Sequence, residues 1–271
     1  MLFDTDNLGR YYIALLDHVI AEGESVSPRG QLVREVRPLV FRLTNPLACI
    51  VKRSGFSSAL MHLEILQLLA GEFDRPLYEK ISPGAASRMN TYGSYGPRTK
   101  EQLLAVEKEL LKDPDSRRAT VYVGRPDDLR LADDLNMPCT GVWSFYVRNG
   151  VLEMLVYMRS WDLVWGLSYD IPCFVAVQKM IADSLGVPLG DYVHVAGSGH
   201  VYERHFGLSV GVTDQKLVLP RSHHVANTQE RYGLLLDFAR QVLAGDEHAL
   251  DSWLDVLDWK PLVSSLLKKL V

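Results

Sequence analysis

Cys139, in "NMPCTG", is a thiol set just after a proline turn at the start of an apolar strand, where a fixed backbone could present it as a nucleophile. A lone cysteine also serves as a small buried hydrophobe, and this stretch alone leaves both uses open. Nucleophilic use calls for a thiolate, and cationic neighbours are the usual means of favouring one. Arginines are what the chain supplies: Arg29 in "SPRGQ", Arg117 and Arg118 in "DPDSRR", and Arg159 before Ser160 in "YMRS". A guanidinium fork suits bidentate phosphate binding better than an ammonium does. Each arginine taken singly is equally a solvated charge.

Other side chains invite the same question. In "GSGHVYERH", His200 and Tyr202 stand two apart on an extended segment, so they share a face and offer hydrogen-bonding groups to hydroxyls. A satisfied structural histidine is the competing reading. In "RSWDLVWGLSYD", Asp162 and Asp170 lie among tryptophans and leucines, where an unpaired charge is costly. Glu64 sits among apolar neighbours in "LEILQLLAG". No spacing of His, Cys and Asp resembles a metal site, and there is no phosphate-binding glycine loop between a strand and a helix.

The elements that must position these groups follow from periodicity. "DNLGRYYIALLDHVIAEG" reads as an amphipathic helix stopping at Gly23, "SALMHLEILQLLAGEFD" as a more buried helix carrying Glu64, and "RTKEQLLAVEKELLKDPDS" as a third. From residue 119 the period changes: "ATVYV", "GVWSFYVRNG" and "VLEMLVYMRS" are strands, with a hairpin at Asn149-Gly150. "IPCFVAVQKMIADSLG" returns to helix after Pro172, and "DYVHVAG" is strand again. The end of the chain reads as two or three helices, with Leu235, Phe238, Val242 and Leu243 on one stripe. Strands and helices mix without a regular βαβ repeat, which predicts an α+β fold, and no linker divides residues 1–271.

Composition narrows the function class. The net charge of −4 excludes a general polyanion binder, so any phosphate contact must be local. Three cysteines with no CxxC pair suit reduced thiols rather than a disulfide framework. No apolar leader or membrane-length apolar run is present, so the expectation is a soluble, cytoplasmic protein.

Taken in order, "DPDSRR", "PC" before a strand, "FYVRNGVLEMLVYMRSWD", "GLSYD" and "GHVYERH" resemble the thymidylate synthase superfamily. The resemblance is strongest over residues 25–206, leaving 225–271 as a helical C-terminal extension. It implies a large twisted mixed sheet flanked by helices, and a homodimer in which Arg117 and Arg118 complete the site of the other copy. It implies two ligands, a pyrimidine nucleoside monophosphate and 5,10-methylenetetrahydrofolate. By motif match Cys139 is the nucleophile, and Glu64 stands at the catalytic position. Arg29, Arg159, Ser160 and the arginine pair would hold the phosphate. His200 and Tyr202 would hold the sugar, and Asp162, Trp165, Gly166 and Tyr169 would lie along the folate.

Three departures refine the expectation. Methylating members carry His after the cysteine, Gln before the arginine and Asn where Asp170 stands; here these are Thr140, Met158 and Asp170. All three substitutions are similar to the cytidylate and deoxycytidylate hydroxymethylases. Cytosine presents an N4 amino donor and an N3 acceptor, so Asp170 can accept from the amine while a proton shared with N3 completes the pair. Against uracil an ionised carboxylate would face O4, costing about 1–3 kcal/mol. A second reading of Asp170 is a cap for the helix that follows Pro172. "KPLVSSLLKKLV" also lacks the short closing tail of the methylating members.

The expected reaction is folate-dependent 5-hydroxymethylation of a cytidine monophosphate. Arginines outnumber lysines 19 to 10, which leans toward CMP and a nucleoside-antibiotic pathway rather than toward dCMP and a phage. A methylase of the same fold and a non-catalytic nucleotide or RNA binder are the alternatives.

Overall fold

The computed structural model describes residues 2–130, 137–244 and 268–269. Its main sheet is built from β1 (Leu2–Thr5), β4 (Leu39–Leu43), β6 (Thr120–Tyr122), β7 (Thr140–Arg148), β8 (Val151–Met158) and β10 (Leu189–Ala196). The spatial order is β1-β4-β10-β8-β7-β6. The pairs β1/β4 and β10/β8 are parallel, and the remaining neighbours antiparallel. The sheet is therefore mixed, as the family resemblance implies, and the irregular run of elements gives an α+β fold.

The β7–β8 hairpin shows how sequence sets register. Asn149 and Gly150 both take left-handed backbone angles, φ 51° and 75°, the combination a tight two-residue turn needs. That turn pairs Arg148 with Val151. Alternation along β8 then sends Leu152, Met154, Val156 and Met158 into the core, while Val151, Glu153, Leu155 and Tyr157 face outward.

A smaller sheet, β2-β3-β11-β9, joins β2 (Glu24–Val26), β3 (Val33–Val36), β9 (Trp161–Asp162) and β11 (Gly199–Tyr202). A third pairs β5 (Lys52–Arg53) with β12 (Val210–Gly211).

The helices are α1 (Leu8–Glu22), α2 (Ser58–Ala70), α3 (Arg75–Ile81), α4 (Pro83–Ala86), α5 (Tyr95–Lys112), α6 (Trp165–Leu185) and α7 (Val225–Leu243). Helix α6 touches β8 and β10 on one side and α2 on the other, and α7 covers α2. The site grows in the α2–α6 layer.

Helix α6 corrects a sequence expectation. It starts at Trp165, not after Pro172, which lies inside it. Proline cannot donate to the carbonyl of Ser168, yet Leu167, Ile171, Phe174 and Val175 are fully buried, so packing overrides the local preference. Asp170 is thus a mid-helix residue and caps nothing. Asp162 does the capping: its Oδ1 accepts from the amides of Val164 at 2.8 Å and Trp165 at 3.2 Å. Of the expected C-terminal helices, α7 is present and carries the apolar stripe. Residues 245–267 and 270–271 lie outside the described residues.

Candidate active site

A cavity of 340 Å³ opens between α2, α5, α6 and the loop before β7. Cys139, Glu64 and Asp170 all line it, as do Ser160, Asp162, Trp165, Gly166 and Tyr169. Residues from distant parts of the chain therefore meet where the sequence reading groups them.

Cys139 is held from the strand beside it. The amide of Arg159 donates to the Cys139 carbonyl at 2.9 Å, and the Arg159 guanidinium donates to the carbonyls of Pro138 at 3.1 Å and Met137 at 3.2 Å. Burial raises the thiol pKa; the positive charges of Arg159 and Arg29 pull it down, and Asp170 and Asp162 push it up. The arginines thus reach the sulfur as expected, but the site at rest favours the thiol.

Glu64 lies on α2, half-buried on the cavity wall near Leu60, Leu68 and Tyr78. Loss of water around it pushes its pKa to about 8. Asp170, on α6, is held well above the ordinary carboxylate range by burial first, then by Glu64 and Asp162. Glu64 and Asp170 share one poorly solvated space, so they resist ionising together. The surroundings thus disfavour the ionised Asp170 on which the argument against uracil rests, and favour a carboxylic acid, with one donor and one acceptor.

The aromatic wall is fixed from behind. The Tyr169 hydroxyl accepts from the Ser57 amide at 3.1 Å, tying α6 to the start of α2, and its ring stacks on Phe56 at 5.6 Å. Arg53 is buried and has no ion pair among the described residues. It donates to Ser168 Oγ at 3.0 and 2.8 Å and lies 4.5 Å from the centre of the Trp165 ring. Trp165 and Tyr169 line the cavity together with Asp162.

The remaining expected residues lie off the cavity wall. His200 is buried on β11, in register with Asp162 on β9, and its ring meets that of Tyr202 edge-on at 5.2 Å, so the two do share a face. Arg29 is exposed in a tight turn with φ 52°, a strained angle for a residue with a side chain. Arg117 is exposed at the edge of the main sheet. Arg118 beside it is ion-paired with Glu109 at 2.9 Å, so any phosphate role requires it to leave that partner.

Tyr95 and Arg53 escaped the sequence reading. Tyr95 lines the cavity at the start of α5, and both Asp170 and Cys139 act on its hydroxyl. Its flanking glycines in "YGSYG" were the available signal.

One cavity thus brings together a thiol, two carboxyl groups with raised pKa values and the rings of Trp165 and Tyr169. Residues 75–227 match the family model described as thymidylate synthase, more than half of the chain, and the chain belongs to that family. Glu64 and Arg29 precede the matched segment; α7 lies almost wholly beyond it. A deoxyuridylate hydroxymethyltransferase of Bacillus phage SP01 is similar, 30% identical over 236 aligned positions that take in 76% of this chain. The chain spans about 60% of that relative's length. Among the described residues no group of His, Cys, Asp and Glu could hold a metal, and no helix is long and apolar enough to cross a membrane.

Proposed function

We propose that this protein transfers a hydroxymethyl group to C5 of a pyrimidine nucleoside monophosphate, with cytidylate, and CMP in particular, as the substrate. The observation that carries the reading is the convergence of Cys139, Glu64 and Asp170 on one cavity. 5,10-Methylenetetrahydrofolate would supply the one-carbon unit, lying along Trp165, Gly166 and Tyr169 with Asp162 facing its donors.

Cys139 adds to C6 of the base, which makes C5 nucleophilic. C5 would take the one-carbon unit and give up its proton, tetrahydrofolate would leave, and water would add to the new exocyclic carbon. The Cys139 thiolate would be expelled as the C5–C6 double bond re-forms. Arg159 and Arg29 lower the cost of the thiolate as it forms. Glu64, still protonated near neutral pH, moves protons at the base and at the water that ends the reaction. Asp170 pairs with the base edge, its O–H donating to N3 and its carbonyl accepting from the N4 amine. Ser160 and the arginines bind phosphate, and His200 with Tyr202 positions the sugar.

The working unit is a homodimer. The outward face of β8 offers Val151 and Leu155, half-buried, and Tyr157, exposed. Arg117, at the edge of the same sheet, would reach the phosphate of the second copy, with Arg118 released from Glu109.

One observation favours a second reading: the phage relative is named for deoxyuridylate. Incubating the protein with methylenetetrahydrofolate and CMP, dCMP, UMP and dUMP separately decides between them. A cytidylate product heavier by one CH2O unit is expected. A gain of CH2 alone marks a methylase, and turnover confined to uridylates replaces the substrate assignment.

A further inference from the structure

A carboxylic acid that stays protonated does not by itself tell cytosine from uracil. Its O–H donates and its C=O accepts, and moving the proton between the two oxygens exchanges those roles. One form matches the N3 acceptor and N4 donor of cytosine. The other matches the O4 acceptor and N3 donor of uracil. Asp170 is drawn toward this position, since burial and the neighbouring acids favour its protonated form. Selectivity needs a group that makes its two oxygens unequal.

Trp161 has the required placement. It is fully buried on β9, and its ring lies on that of His194 at 3.8 Å and 14°. His194 is fixed in turn by the Tyr192 hydroxyl at 2.8 Å. The Trp161 ring plane is thereby set, and its Nε1–H is buried with no partner at ordinary hydrogen-bonding distance among the described residues. Such a donor is unusual and calls for an explanation.

Gly166 shows what the donor faces. The point a side chain would occupy there is 3.0 Å from Asp170 Oδ2 and 3.6 Å from Trp161 Cδ1, the carbon bonded to Nε1. The carboxyl oxygen and the polar edge of the indole thus share one notch, open because residue 166 has no Cβ. The indole also pulls the Asp170 pKa down, countering in part the burial that raises it.

We propose that Trp161 determines base specificity by fixing which oxygen of Asp170 carries the proton. The oxygen turned to the indole N–H stays an acceptor, and the proton resides on the other. The remaining titratable neighbours are Glu64 on α2, Tyr95 on α5, Asp162 on β9, Cys173 on α6, Tyr192 on β10 and Cys139 before β7. They set how readily the carboxyl ionises. Trp161 is a positioning residue, and its role as a filter for cytosine rests on the cytidylate reading above.

The test measures equilibrium binding and kcat/KM for CMP and UMP on three full-length proteins. These are the wild type, Trp161→Phe, and a protein with 3-benzothienylalanine at 161, which keeps the indole shape without the N–H. A neutral hydrogen bond is worth a factor on the order of three to ten. The CMP preference is expected to fall by that factor in both variants, in Kd as well as in kcat/KM. Should Trp161→Phe fail to fold, the isostere decides. An unchanged CMP:UMP ratio in the isostere overturns the proposal, as does a wild type that binds both nucleotides equally. A ratio in Kd that falls in a protein without turnover supports the filter and rejects the catalytic reading. A wild-type preference for UMP that the isostere erases supports the filter and rejects the cytidylate assignment.

Discussion

Arg159 holds Cys139 by its backbone and the residues before it by its side chain. Its amide donates to the Cys139 carbonyl at 2.9 Å while its guanidinium binds the Pro138 carbonyl at 3.1 Å. One arginine thus anchors the Cys139 loop and puts a positive charge near the sulfur. Arg159→Lys keeps a charge but not the planar fork. A lysine cannot keep both charge-assisted bonds to the loop carbonyls, and losing one, about 1.5–3 kcal/mol, lowers kcat/KM on the order of ten- to hundredfold. In Arg159→Leu the midpoint for alkylation of Cys139 by iodoacetamide moves to higher pH than in wild type, because the thiolate loses its cation. An unmoved midpoint contradicts the electrostatic role.

Glu64 ties stability to pH. Its folded pKa is about 8 against an ordinary 4.5, so between these values the native state keeps a proton that the unfolded chain has released. Stability is therefore fully present below 4.5 and falls as pH rises toward about 8, and Asp170 adds in the same direction. Glu64→Gln removes this group's share. Its Tm advantage over wild type is expected to be small at acid pH and to widen toward pH 8 by at least about 2–4 °C, the shift of 1 kcal/mol in a chain of this size. Thermal melts across that range check it; parallel curves would refute the assignment.

Asp170→Ala removes the only group assigned to the base edge. Two lost hydrogen bonds, one leaving a buried partner unpaired, cost about 1–3 kcal/mol in CMP binding. The CMP:UMP ratio of kcat/KM is expected to approach unity while the KM for the folate changes little. A preserved ratio would place base recognition elsewhere.

Helix α7 braces the cavity although it lies almost wholly past the family match. Arg240 donates to Asp74 at 2.6 Å and to Glu72 at 2.9 Å, and Glu72 and Phe73 line the cavity. The arginine is half-exposed, so the network is screened by solvent. Arg240→Ala is expected to cost about 1 kcal/mol of stability and to raise the KM for methylenetetrahydrofolate more than that for CMP. Equal changes in both constants would reduce Arg240 to a purely structural tie.

Much of the arrangement was legible in residue order. The β7–β8 hairpin follows from Asn149-Gly150 and strict alternation, and helices α1, α2 and α5 follow from their apolar spacing. The short strands β1 to β5 were not anticipated, since two to five residues carry too little alternation to stand out. The start of α6 was misplaced because Pro172 is a strong local signal, whereas the burial that overrides it depends on α2 and the sheet. The motif residues lining the cavity could be named because their types carry chemistry. Trp161 and Arg53 could not: a tryptophan in an apolar run looks like any core aromatic until its N–H is seen to lack a partner. A buried guanidinium with no ion pair among the described residues likewise leaves no mark on the sequence.

The account rests on a bond between Cys139 and C6 of a cytosine. A fluorine at C5 cannot leave as a cation, so 5-fluoro-CMP with methylenetetrahydrofolate should trap that bond. Intact mass followed by peptide mapping is expected to find one nucleotide and one folate on the peptide carrying Cys139, and none on the peptides carrying Cys49 or Cys173. No adduct with 5-fluoro-CMP, or an adduct on another residue, would contradict the mechanism.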